Sequence, residues 1–143
     1  MNMRIMGLDV GTKSLGVAVS DSEEKLALGV ATLDRKSLSS DCAAVRELAE
    51  KRRVGSIVVG WPLTAGGREG RAVERTRVFV EALRRTLDLP VETWDERFTT
   101  AEAEEILRGD GATSTKHRAA VDSVAAVLIL QAYLDARGEG RGK

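Results

Sequence analysis

The sequence predicts an α/β protein built on a five-stranded mixed sheet: three antiparallel N-terminal strands, then two parallel strands, flanked by helices. Three observations predict it. Residues 4–10, "RIMGLDV", and residues 14–20, "SLGVAVS", are strand-like runs separated only by the short turn "GTK", which is hairpin spacing. Residues 56–62, "SIVVGWP", form a continuous apolar run closed by proline, the pattern of a central strand buried on both faces. Beyond residue 38, apolar residues recur at three- and four-residue intervals between strand-like runs, which alternates helix with strand.

The elements follow in order. The first strand, 4–10, holds one acid, Asp9, inside Leu8-Asp9-Val10. The second, 14–20, alternates Val17 and Val19 with small residues. The polar "DSEEK" leads to a third strand over 26–33, "LALGVATL". A helix comes next, with Ser39, Ser40 or Asp41 as its cap and Val45, Leu48 and Ala49 on its apolar stripe, ending near Arg52. After the fourth strand, the glycine-rich segment 60–70 is long enough to touch a ligand. A second helix covers 71–87, a fifth strand 90–96, and a helix capped by Thr99 or Thr100 covers 100–108. The last helix spans 118–136, with Val121, Val124, Ala125, Leu128 and Ala132 at helical spacing. Residues 1–137 are expected to form one domain and 138–143, rich in glycine and charge, a flexible tail.

Composition bounds the function. The 143 residues suit one domain with a real core, and 43% are apolar. Lys and Arg total 22 and so do Asp and Glu, so any affinity for a polyanion must come from a local basic surface. The single cysteine, Cys42, rules out an internal disulfide and fits a reducing cytoplasm, the expected location. No apolar run approaches the ~20 residues of a membrane span, and no signal peptide is visible, so no membrane partner is expected.

Three acids stand at positions where core residues belong: Asp9 at the end of the first strand, Glu96 at the end of the fifth, and Asp122 within the apolar last helix. Each has a plain alternative, as a turn former, a partner of Arg97 or a helix-dipole acid. Jointly they point elsewhere. Parallel strands one and five end at the same sheet edge, where ligands of open α/β sheets bind. Carboxylates crowded there repel one another unless a cation lies between them, and all-oxygen sites suit Mg2+ or Mn2+. Two such ions about 3.5–4 Å apart activate water and stabilise the leaving oxygen of a phosphodiester. Around this edge lie Lys13, Arg68, Arg71, Arg97, Lys116 and Arg118, a basic rim able to hold a phosphate backbone. His117, the only histidine, belongs to the same basic run. With two Trp, two Phe and one Tyr, an extensive base-stacking platform is not expected.

The segments "RIMGLDVGTKSLGVAVSD", "IVVGWPLTAGGREG", "VETWDERFTTAEAEEIL" and "KHRAAVDSVAAVLILQAYLD" resemble, in this order and over about residues 4–135, the YqgF/RuvX family. The resemblance implies an RNase H-like fold and a bacterial cytoplasmic nuclease. The family is provisionally described both as a Holliday junction resolvase and as a nuclease for the 5′ end of pre-16S rRNA. It implies Asp9, Glu96 and Asp122 as the catalytic, metal-binding acids, and precursor rRNA or branched DNA as partner to a monomer or homodimer. The chain departs from the pattern in two places. Trp61 replaces the usual leucine of "GLP", either as a core filler or as a base-stacking ring, and 63–67 reads Leu-Thr-Ala-Gly-Gly where the family often has Asn and Asp. In many RNase H-like nucleases an acid follows the fourth strand; Gly60 and Trp61 stand there, so Glu96 has to compensate.

Two other functions are compatible with the same residues. "DVGTKSLGVAV" is also similar to the phosphate-binding hairpin of actin- and sugar-kinase-like ATPases, but those need two such domains. An RNase H-like module that holds nucleic acid or a ribosome-processing partner without cutting it is the other.

Overall fold

A computed structural model describes residues 3–62, 70–96 and 115–141, with side chains of the last helix described over 124–138. The strands are β1 (Arg4–Val10), β2 (Ser14–Ser20), β3 (Ala27–Asp34), β4 (Val54–Trp61) and β5 (Val91–Asp95). The helices are α1 (Leu38–Lys51), α2 (Arg71–Thr86) and α3 (Thr115–Arg141). The helix expected over 100–108 lies outside the described residues.

The sheet order is β3-β2-β1-β4-β5. β1, β2 and β3 pair antiparallel; β1–β4 and β4–β5 pair parallel. This is the mixed sheet that the hairpin spacing and the later helix–strand alternation predict. β1 is central because its apolar residues are needed on both faces. Met6 and Leu8 join the larger core with Ile57, Val59, Val45, Phe79 and Leu83 under α1 and α2. Ile5 joins Ala18, Val58, Ala126, Leu130 and Leu134 under α3. Each fully buried side chain of this size contributes roughly 1.5–3 kcal/mol.

Two local features differ from the expected ones. The N-cap of α1 is Ser37, whose hydroxyl accepts the Ser40 amide at 3.1 Å. Asp41 is instead a buried ion-pair partner: Arg35 Nε donates to it at 2.8 Å, and the Lys36 amide donates to it at 3.0 Å. α3 also continues to Arg141, past the end expected near 136. Its glycines, Gly138 and Gly140, lower helix propensity without stopping the helix.

α3 lies close against the sheet because β1 offers it a glycine. A Cβ on Gly7 would stand 2.7 Å from Leu130 Cβ and 3.2 Å from the Ala126 carbonyl oxygen. Three further ties hold α3 in place. Gln131 accepts the Ala27 amide at 3.0 Å and donates to the Lys25 carbonyl at 2.8 Å. Arg137 pairs with Glu24 at 2.9 Å. Tyr133 packs edge-on against Trp94 with ring centroids 5.8 Å apart, and its hydroxyl donates to Glu92. The last contact joins α3 to β5, the two elements that bring the C-terminal acids.

Candidate active site

Asp9 is the sixth residue of β1, half-buried, on the same face as Ile5 and Gly7 and therefore on the side covered by α3. The β1–β4 pairing runs to Leu8 opposite Val59, so the next position along brings Asp9 level with Gly60. Glu96 follows β5 directly. A Cβ on Gly60 would stand 2.9 Å from Glu96 Cγ, 3.0 Å from its carboxyl carbon and 2.6 Å from Ile129 Cδ1. The Glu96 side chain therefore occupies the space that a side chain on β4 would take. Where an acid on the fourth strand is absent, the glycine leaves room for an acid from the fifth.

The electrostatics agree with this placement. The Glu96 carboxyl is pushed up to about 7, first by burial and then by the negative charges of Asp9 and Asp95. Two carboxylates approach at the end of the sheet, and the metal-free protein answers by favouring the protonated form of one.

Asp122 lies in α3, one turn before Ala126 and in step with the buried Ala126, Leu130 and Leu134. That spacing puts its backbone on the stripe that faces the sheet, toward the edge where Asp9 and Glu96 meet; its side chain lies outside the described residues. Among the described residues no group of three or more His, Cys, Asp or Glu is arranged to hold a metal ion. The described part of the site is the Asp9–Glu96 pair, with the charge of Asp95 beside it.

The rim is described in part. Lys13 is exposed in the β1–β2 turn, at the edge where β1 ends. Arg71 is exposed as the first residue of α2, where the chain re-enters from the same edge. Arg68 and Arg97 lie outside the described residues. Lys116, His117 and Arg118 are placed in α3 by backbone only. Trp61 follows Gly60 and so faces the opposite side of the sheet, where it packs against the larger core with the Arg77 guanidinium 5.6 Å from its ring centre. The core-filling role is the observed one.

One support of the site was not anticipated. Arg35 Nη1 donates to the Gly11 carbonyl at 2.7 Å, and the Arg35 amide donates to the Lys13 carbonyl at 2.8 Å. With its ion pair to Asp41 and its guanidinium 5.3 Å from the Phe79 ring centre, Arg35 fixes the turn that begins two residues after Asp9. Cys42, beside Asp41, is buried, and burial holds its thiol in the protonated form.

The family model for RuvX, described as Holliday junction resolvase, matches residues 3–136. The chain belongs to the RuvX family. Curated relatives agree along their length. A protein of Koribacter versatilis is 44% identical over 96% of this chain and 90% of its own, and one of Heliobacterium modesticaldum is 45% identical over 94% and 91%. Both bear the provisional name pre-16S rRNA nuclease. Among solved structures, Thermus thermophilus RuvC in complex with a Holliday junction substrate aligns with a TM-score of 0.60 at 16% identity, covering 94% of this chain and 95% of that one. The fowlpox virus Holliday junction resolvase aligns at 0.54 and 13%, covering 94% and 99%. At these identities the structural likeness shows the fold, which this RuvX-family chain shares with resolvases.

No described helix is long and apolar enough to cross a membrane.

Proposed function

We propose that this RuvX-family protein is a metal-dependent endonuclease that cuts phosphodiester bonds in structured nucleic acid. The observation that carries it is the Glu96 carboxyl lying over Gly60 within reach of the charge of Asp9, at the edge where parallel strands end. A half-buried pair of like charges is unfavourable by itself, and an all-oxygen donor set at a strand edge fits a hard divalent ion. Asp9 and Glu96, with Asp122 as the third acid, would hold Mg2+ or Mn2+. When bound, such ions supply a water-derived nucleophile and charge stabilisation at the departing oxygen.

The remaining roles fall to the chain. Lys13 and Arg71 at the rim, with Arg68, Arg97, Lys116 and Arg118, neutralise backbone phosphates and orient the strand across the acids. Arg35 keeps the β1–β2 turn, and so Asp9, in place. The names of the relatives make pre-16S rRNA the first substrate, with its 5′ end as the site of cutting and the cytoplasm as the place; the family description makes a four-way DNA junction the second. Symmetric cutting of a junction needs two sites and hence a dimer, whereas trimming an RNA end does not.

The test offers both substrates to one preparation with Mg2+ or Mn2+, beside Asp9→Asn. Cleavage by the wild type and a loss of about 10²–10³-fold in the variant are expected. The melting temperature of metal-free Asp9→Asn should be unchanged or slightly higher, because a charge that repels Glu96 is gone. Equal cleavage by both proteins rejects the assignment.

A further inference from the structure

At the opposite end of the sheet, where β1 and β4 begin and α1 ends, lies a cleft of about 370 Å³. Four cations line it: Arg4, Lys51, Arg52 and Arg53. No acid lines it. In a chain with equal numbers of basic and acidic residues, this is a concentrated positive surface. Lys51 and Arg52 make no ion pair among the described residues. Two acids stand beside the cleft: Glu50 is held by Arg46 at 3.3 Å, one turn back along α1, and Asp21, within reach of the Arg4 charge, accepts the Lys25 and Leu26 amides. Arg4 donates to the Ser20 carbonyl at 3.1 Å, which fixes one guanidinium at the floor.

The backbone adds a second observation. Arg53 has φ 58, the left-handed conformation with which helices commonly end, usually on glycine. Its carbonyl accepts the Arg4 amide at 3.0 Å, so the turn that ends α1 is tied to the start of β1. One of the four cations on the cleft is thus an arginine at a position that favours glycine.

We infer that this cleft is a phosphate-binding site for the backbone of a nucleic-acid strand, separate from the acidic edge. Its lining argues for a strand rather than a nucleotide cofactor. There is no aromatic ring to stack a base and no carboxamide or carboxylate to read one. The Ser20 hydroxyl and carbonyl are already engaged, by the Ile5 amide and Arg4. What remains is charge, which recognises phosphate without regard to sequence. Arg4 and Asp9 are five residues apart on β1, roughly 16 Å along the strand. An arm of a folded or branched substrate leaving the acidic edge would have to run at least that far to meet the cleft. The choice of nucleic acid as ligand rests on the nuclease function proposed above; the positive cleft does not.

The test uses the full-length Asp9→Asn protein, which binds without cutting, and follows backbone amides by NMR as oligouridylate, inorganic pyrophosphate or phosphatidylserine vesicles are added. Oligouridylate should shift the amides of Arg4, Arg53 and Val54. Adding Lys51→Ala and Arg52→Ala, both exposed at a helix end, should weaken binding and lower the slope of log affinity against log salt by about 1.4, the value for two lost single-strand phosphate contacts. Shifts confined to the region of Lys13 and Arg71 would overturn the second site and leave the nuclease function standing. No shift at either end would remove both. A response at the cleft to pyrophosphate alone or to vesicles alone would overturn the assignment to a nucleic-acid strand.

Discussion

Gly60 decides what Glu96 can do. The two groups nearest a hypothetical Cβ there are Ile129 Cδ1 and Glu96 Cγ, at 2.6 and 2.9 Å. Gly60→Ala should therefore cost the fold about 1–2 kcal/mol in a denaturant titration, because Glu96 can swing aside but the buried Ile129 must shift within the core. It should be severe for chemistry, since a reactive group displaced by about 1 Å can lower turnover about 100-fold. A variant that melts like wild type yet cleaves as fast would detach Glu96 from the reaction. Glu96 also makes stability depend on pH. Its carboxyl titrates near 4.5 when unfolded and at about 7 in the fold, so between these values the folded state binds more protons. Metal-free protein should be most stable, as far as this group is concerned, below pH ~4.5, and should lose stability as pH rises through ~7. The loss relative to Glu96→Gln is on the order of 2–3 kcal/mol, read from urea unfolding at pH 5 and pH 8. Added Mg2+ at pH 8 should restore it. Curves that run parallel for the two proteins would show that Glu96 is not crowded.

At the scale of elements, the site depends on how α3 sits. β1 supplies Asp9 and, through Gly7, the close approach that sets the depth of the helix carrying Asp122. Unlike the neighbours of Gly60, those of Gly7 include the Ala126 carbonyl and Leu130 Cβ, which cannot move without the helix. Gly7→Ala should lift α3 and cost about 1–3 kcal/mol, lowering the melting temperature by several degrees. Cleavage measured well below that melting point should also fall, because the α3 backbone at Asp122 would stand farther from Asp9. Wild-type stability in this variant would mean that α3 is not seated on Gly7. The strands and the first hairpin were legible, because period-two alternation and the "GTK" turn leave little choice for that pairing; the place of β1 between β2 and β4 was not. The Ser37 cap and the Arg35–Asp41 pair were not. Ser37, Ser39, Ser40 and Asp41 are all acceptable caps by residue type, and only the path of the chain after β3 selects among them. The tie from Arg35 to Gly11 spans 24 residues and leaves no periodic trace in the sequence. Tyr133 and Glu92, 41 residues apart, pose the same difficulty.

Across the whole molecule, neutrality conceals a division of charge. Among the described residues, Asp9, Asp95 and Glu96 gather at the edge where β1, β4 and β5 end, inside a rim that includes Lys13 and Arg71, and Arg4, Lys51, Arg52 and Arg53 line the edge where β1 and β4 begin. The three acids were visible in sequence as carboxylates among apolar residues, and Asp9 and Glu96 meet as the parallel topology requires. What sequence alone did not show is why they can meet: Gly60 leaves the space, and burial raises the carboxyl that fills it. Distant segments of this chain are proposed to assemble a divalent-ion site, and anomalous diffraction from Mn2+-soaked crystals would locate the ion. An anomalous peak is expected at the end of β1, at ligand distance of about 2.0–2.2 Å from carboxylate oxygens of Asp9 and Glu96 and lost in Asp9→Asn crystals. Ordered Asp9 and Glu96 side chains with no peak between them, at saturating Mn2+, would contradict it.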